Sequence, residues 1–555
     1  MPRLPLLAAL LAGAAFAQPV DLLVVRGNLH TLNPAQPHAT ALAVRAGRIV
    51  YVGDDAGAEK FRTDARRVLD LHGATAVPGL NDAHMHLAGV GERELSFNLE
   101  GTSGIAELQQ RLAIRAAQAG PRQWIFGRGW IETHWRPAAF PTRQQLDAAS
   151  GAHPVVLQRA DGHAIVANSL ALRLAGVTRD TPDPAGGEIL RDAAGEPTGM
   201  LVDNAMALVT RLIPPPTPAE VERALIVGAE REARLGWTGL QIAGHSYAEA
   251  ELVRRLVAEG KIKLRVYDAV SGSDGSRDQL LAAGPVIGES GGRYTRRGVK
   301  LYIDGALGSR GAALLAPYAD APRSTGLLMQ EEAQVMPFLV AALRRGIQVE
   351  THAIGDRGNR TMLDWYERAF AAVPAAERAV PEPRWRIEHA QIVASADIPR
   401  FARLGVIASM QPSHAIGDLF FAPQRLGRER LVGAYAWQSM VRSGAVLAAG
   451  SDAPVERGEP MIEFYAAVAR RSLEGYADAD WHPEERLSRE QALHALTLGA
   501  AYAAFEEKER GSLEVGKWAD LTVLSADIMT IPEPEILKTR CLYTIVGGEV
   551  VHEPR

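Results

Sequence analysis

The chain has 555 residues, 47% hydrophobic and 23% charged, which is too long for one small domain and too apolar for disorder. Its 60 basic against 65 acidic side chains give a net charge of -5, so there is no basic excess to hold nucleic acid. The single cysteine, Cys541, excludes an intramolecular disulfide and a thiolate metal cluster, so any metal must be held by His, carboxylate or modified Lys.

The chain opens with a positive charge at Arg3, an apolar alanine-rich run from Leu4 to Phe16, and Ala15-Phe16-Ala17, which fits a small-x-small cleavage site. Residues 1–17 therefore read as a secretory signal cut before Gln18, predicting an exported protein, periplasmic or secreted. One cysteine is compatible with export, where disulfides are permitted rather than required. No later apolar stretch approaches the roughly 20 residues that span a bilayer.

Short strand-like runs follow at Asp21 to Arg26, Ala41 to Val44 and Arg48 to Gly53, separated by Gly, Asn and Pro. The far end mirrors them, with Leu521 to Leu524 and Tyr543 to Val546. The simplest arrangement is one β-sandwich built from both termini, residues 18–77 and 501–555, around a larger domain over 78–500. Within that domain helix-like and extended runs alternate: Pro218 to Leu235 then Thr238 to Ala243, Glu331 to Arg345 then Ile347 to Thr351, Asn359 to Ala372 then Trp385 to Ile387. Ala394 to Leu404 then Val406 to Met410, and Ala434 to Arg442 then Ala445 to Ala449, continue the rhythm. Such alternation predicts a parallel sheet, here an α/β TIM-like (β/α)8 barrel with its site at the C-terminal strand ends. No G-x-G-x-x-G follows the first strand, against an open doubly wound sheet. The interval 97–212, rich in Gly, Pro and Trp, breaks the rhythm and reads as an inserted subdomain.

His84 and His86, two apart at the end of the first barrel run, share one face of a strand and can share a ligand. His352 follows the run Ile347 to Thr351, His389 follows Trp385 to Glu388, and Asp452 follows Val446 to Ala449 through Gly450-Ser451. Any one of these is an ordinary buried polar residue. Four histidines and an aspartate, all at strand ends in a chain with 15 His, point to a metal centre.

The motifs PGLNDAHMHL at Pro78, DGHAIVAN at Asp161, GVKLYIDGALGSR at Gly298, THAIGDRGN at Thr351, RIEHAQ at Arg386, GSDAPV at Gly450 and GSLEVGKWADLTVL at Gly511 resemble the metal-dependent amidohydrolase superfamily. The resemblance is to its amidohydrolase family 3 branch, which includes N-substituted formamide deformylases, and it covers nearly the whole mature chain. It implies a TIM-like barrel with a β-sandwich from both termini. It places Lys300 at the fourth-strand position where a carbamylated lysine can bridge two metals, since a carbamate is an anion stabilised by paired cations.

The resemblance further implies that His84, His86, Lys300, His352, His389 and Asp452 hold one or two divalent ions. Zn2+ suits such N/O ligation without sulfur. Asp452 is the expected general base toward metal-activated water, on an amide, formamide or cyclic amide of a small-molecule substrate. An ester or phosphoester hydrolase with the same centre, and an exported binding protein that has lost catalysis, are the alternatives. Softer expectations place Asp161, His163, Asp304, Arg310 and Trp130 at the substrate. Glu388 should face away from His389, and Gln241-Ile242 stand where many relatives carry His-Asp. A homo-oligomer is compatible with the sequence.

Overall fold

The computed structural model describes residues 19–132, 135–159, 164–184, 187–478 and 480–554. The expected signal, residues 1–17, and the candidate substrate residues Asp161 and His163 lie outside these. The chain forms two compact units, one of residues up to His86 with those from Ala229 onward, the other Leu87–Gly228.

In the first unit, eight parallel strands form the barrel: β1 (Leu80–Met85), β2 (Trp237–His245), β3 (Arg265–Ser271), β4 (Tyr294–Tyr302), β5 (Gln348–Ala353), β6 (Arg386–His389), β7 (Ile407–Met410) and β8 (Leu447–Ala449). Each neighbouring pair in this order is laddered, and a short strand, Val286–Gly288, adds antiparallel to β4. β1 and β8 share no ladder. The seam between them is fastened just past the strand ends, where the Asp452 N–H donates to the His84 carbonyl and the His86 N–H to the Ala453 carbonyl, each at 2.7 Å. The Asp82 carboxylate adds to it by accepting from the Ser451 N–H at 2.8 Å and from its hydroxyl.

The strands are buried along nearly their whole length, as parallel strands covered by helices must be. Polar side chains in the barrel floor are matched by the helix end after β8. Gln241 Nε2 donates to the Ala500 carbonyl at 2.7 Å, and Gln348 and Arg386 donate to that of Ala503 at 2.8 and 2.9 Å. Among the described residues no helix is long and apolar enough to cross a membrane.

The termini build a β-sandwich in the same unit. One sheet runs Arg48–Gly53, Ala41–Arg45, Leu22–Val25, Val68–Asp70; the other runs Glu549–His552, Cys541–Val546, Leu521–Leu524, Thr75–Pro78, Asn28–His30, His38–Ala39. Leu521–Leu524 lies antiparallel to Thr75–Pro78, so the two ends of the chain share one sheet. Leu22, Val24, Leu42, Leu521, Val523 and Ile545 close the core between the sheets.

The unit Leu87–Gly228 has its own six-stranded sheet, from Phe97–Asn98 at one edge to Gly187–Arg191 at the other. Helices Ile105–Gln118 and Arg143–Ser150 cover it over a core containing Leu108, Leu112, Trp130, Trp135 and Leu146. Trp130 is fully buried in that core, and its indole N–H donates to the Leu157 carbonyl at 2.9 Å.

Candidate metal centre

The C-terminal strand ends gather the histidines in one place. His84, His389 and Asp452 are buried, and one ligand atom from each lies within 4.8 Å of the others. His86 Nε2 is 3.1 Å from Asp452 Oδ1, and the His352 ring centre is 4.5 Å from that of His389. Lys300, near the end of β4, brings Nζ to 3.1 Å from His84 Nε2. The six residues expected to hold metal are thus together. Two pay for their position in backbone strain, with left-handed φ values of 72° at His389 and 57° at Asp452; such conformations persist where surrounding structure fixes them.

Two outer partners set the imidazoles. His84 Nδ1 lies 2.6 Å from Glu388 Oε2, both side chains fully buried, so a ring N–H facing the carboxylate leaves Nε2 as the lone-pair nitrogen. His389 Nδ1 meets Gln411 Oε1 at 2.8 Å, with the same consequence. Burial holds the pKa of His84 and of His389 well below the ordinary value, helped by Lys300 and by His352 respectively, and brings His352 down to about 3. Neutral imidazole is the form that binds metal.

Asp452 is the anion of the group. Burial would push its carboxyl up, but the contacts with His414 and His86 outweigh this and hold it well below the usual carboxylate range. Oδ2 faces His414 Nε2 at 3.4 Å, whereas Oδ1 makes no hydrogen bond of good geometry. For His414, burial opposes protonation, but Asp452, Glu456 and Asp418 raise its pKa to about 9. His352 Nε2 is likewise buried without a hydrogen bond. Buried polar atoms are nearly always paired. Two unpaired donor atoms beside neutral imidazoles and a carboxylate fit a divalent cation.

The remaining candidates fall elsewhere. Asp304 is a backbone brace, its carboxylate accepting from the N–H groups of Ala313 (2.8 Å), Ile354 (3.0 Å) and Gly355 (2.8 Å), with His352 Nε2 at 3.6 Å. Burial pushes its carboxyl up to about 7 against those donors. Arg310 is half exposed and forks Asp320 at 3.1 and 2.8 Å.

Glu388, expected to face away, instead touches His84. In a regular strand Arg386 and Glu388 share one face and His389 takes the other; the left-handed turn at His389 and Ala390 brings both to the cluster. β2 continues past Gln241-Ile242 to His245, whose ring Nδ1 lies 3.5 Å from Asp268 Oδ1. His414 and Gln411 were also missed, although both lie within four residues of the end of the apolar run that forms β7.

The profile of the amidohydrolase family matches residues 67–552. Protein LONG AFTER FAR-RED 3 of Arabidopsis thaliana is 35% identical, over 96% of this chain and 91% of that protein. N-substituted formamide deformylase of Arthrobacter pascens is 30% identical, over 96% of this chain and 98% of its own. Among solved structures, an uncharacterized metal-dependent hydrolase from Pyrococcus horikoshii OT3 superposes with a TM-score of 0.75 at 28% identity, covering 92% of this chain and 99% of that one. With ligand residues assembled at the strand ends of such a barrel, the chain belongs to the amidohydrolase family of metal-dependent hydrolases.

Proposed function

We propose that the chain hydrolyses a non-peptide carbon–nitrogen bond of a small molecule, in a linear amide, a formamide or a cyclic amide, with Asp452 as general base. The observation that carries this reading is the buried trio His84, His389 and Asp452, with Asp452 Oδ1 making no hydrogen bond of good geometry. Likeness to a formamide deformylase along the full length supports the amide class.

His84, His86, His352, His389 and Asp452 would hold a divalent ion, zinc suiting donors without sulfur, and when bound it would supply a Lewis acid and a water of depressed pKa. Lys300 joins the donors only without its ammonium charge. Carbamylation, which joins the amine to CO2 and releases a proton, would turn it into a carbamate anion, an oxygen donor in place of the ammonium.

The chain's own part is proton handling and orientation. Glu388 and Gln411 keep Nε2 of His84 and His389 as lone-pair nitrogens. His414 occupies Oδ2 of Asp452, which leaves Oδ1 to take the proton of water and return it to the departing nitrogen.

The test is a screen of formamides, linear amides, cyclic amides and matched esters with wild type and Asp452→Asn. The variant should keep its metal and lose about 10²–10⁴-fold in turnover. Unchanged turnover would remove Asp452 as base, and turnover of esters alone would remove the carbon–nitrogen assignment. The leader reading adds export, with a mature chain starting at Gln18. N-terminal sequencing of the chain from its native host checks this, and Met1 still in place would overturn it.

A further inference from the structure

At the opposite end of the barrel from the histidines, a cavity of about 320 Å3 opens beside the starts of β3 and β4. Small-molecule sites run from about 300 to 1,000 Å3. Four arginines line the cavity, and the guanidinium groups of three are neutralised. Arg48 donates to Glu509 at 2.6 Å, Arg265 forks Asp520 at 2.6 and 2.9 Å, and Arg510 donates to Glu506. The fourth, Arg297, pairs with no carboxylate among the described residues. It is 8% exposed, its Nε donates to the Gly346 carbonyl at 2.9 Å, and its guanidinium carbon lies 3.9 Å from the Phe505 ring centre. Burial lowers its pKa, as it does for a guanidinium without an anion.

The strand pairing explains how Arg297 comes to be there. The β3–β4 ladder pairs Asp268 with Arg296 and Ala269 with Gly298, which leaves Arg297 as the extra residue of a bulge. A bulge takes a side chain out of the alternating pattern and re-aims it, here to Gly346 and Phe505. A buried charge is costly unless something of opposite sign meets it. The apolar part of the wall is Ile287, Ala504, Phe505 and Trp518, the indole carrying the guanidinium carbons of Arg48 at 3.7 Å and Arg265 at 4.6 Å over its ring.

We propose that this cavity binds a small organic monoanion with a flat apolar body, an aryl carboxylate of the benzoate type, whose carboxylate pairs with Arg297 and whose ring lies along Phe505 and Trp518. Four cations against the carboxylates of Glu506, Glu509 and Asp520 leave one positive charge to be matched. That balance selects a monoanion, and the two glutamates in the wall oppose a phosphate.

Isothermal titration of the metal-loaded, full-length protein with benzoate tests the proposal. One saturable site is expected, with a Kd weakened at least tenfold in Arg297→Met and unmoved in Asp452→Asn. Benzamide, uncharged and of the same shape, should bind at least tenfold more weakly than benzoate, and inorganic phosphate should not displace it. No saturable binding, a Kd unmoved in Arg297→Met, displacement by phosphate, or a Kd moved by Asp452→Asn overturns the proposal, the last because it puts benzoate at the metal centre. A second readout needs no variant: a wild-type crystal soaked with 4-bromobenzoate should show anomalous bromine density beside Phe505 and Trp518. Bromine found only elsewhere, or nowhere, overturns it.

Discussion

Glu388→Gln isolates the charge of the carboxylate behind His84. The contact is 2.6 Å long between two fully buried side chains, so solvent screens little of it. Hydrogen bonds to charged groups contribute about 1.5–3 kcal/mol against about 1 for neutral ones, so the near-isosteric amide forfeits about 0.5–2 kcal/mol. At about 1.4 kcal/mol per tenfold, that is a factor of roughly 2–30 in whatever depends on the orientation of His84. The amide can also turn its NH2 toward Nδ1, which stabilises the tautomer with its proton on Nε2, the nitrogen needed as ligand. Metal affinity should therefore fall about tenfold in Glu388→Gln. In Glu388→Ala, where no acceptor remains, it should approach the 100-fold end of the range for lost outer-shell partners. Competition against a chromogenic chelator at neutral pH reads the affinity, and a chemical melt of the metal-free proteins separates it from unfolding. Affinities within twofold of wild type in both variants would refute the idea that Glu388 orients His84.

Lys300→Ala should lower metal bound per chain, and wild-type loading should rise with added bicarbonate; loading that ignores both would remove Lys300 from the ligand set. The buried fork of Arg265 on Asp520 predicts a loss of about 3–5 kcal/mol in Asp520→Asn, read as a lower denaturant midpoint, because an uncompensated guanidinium is left inside. Burial raises the Asp520 carboxyl, but Arg265 outweighs it and the folded pKa is depressed. The pair's contribution is therefore complete above about pH 5 and is lost as pH falls through the ordinary carboxylate value of about 3.9 toward the lower folded one. Asp520→Asn should lack that part of the acid-side slope, and an identical slope would refute the assignment. Asp304→Asn offers three backbone N–H groups one acceptor in place of two. It should lower stability and turnover together, and full turnover would show that the turn after His352, at Ile354 and Gly355, does not need this brace.

Periodicity made much of this legible. His84, His352, His389 and Asp452 each close an apolar run, and β-strand sterics force such a residue to a barrel rim. Glu388 was hidden because alternation assigns it the face opposite His389, and only the left-handed backbone at His389 cancels that rule. His414 was hidden by the three residues of helix start, Gln411 to Ser413, between it and β7, a distance that no strand pattern spans. Lys300 lies within a continuous buried strand, where nothing local separates a ligand from a paired lysine; only resemblance singled it out. Asp304 and Arg310 sit together in one motif yet do unlike things, since a bracing carboxylate and a surface fork look the same on paper.

The barrel seam carries a temporal consequence. Its two backbone links join His84 and His86 near the beginning of the barrel to Asp452 and Ala453 beyond its last strand. A ribosome must therefore have made almost the entire barrel before the donor set can exist as a set. A nascent or truncated chain offers scattered imidazoles, and scattered imidazoles have no cooperative grip on an ion. Metal capture is in this way tied to completion of the chain, and a fragment ending before Gly450 should take up ions no more tightly than an unfolded peptide rich in histidine.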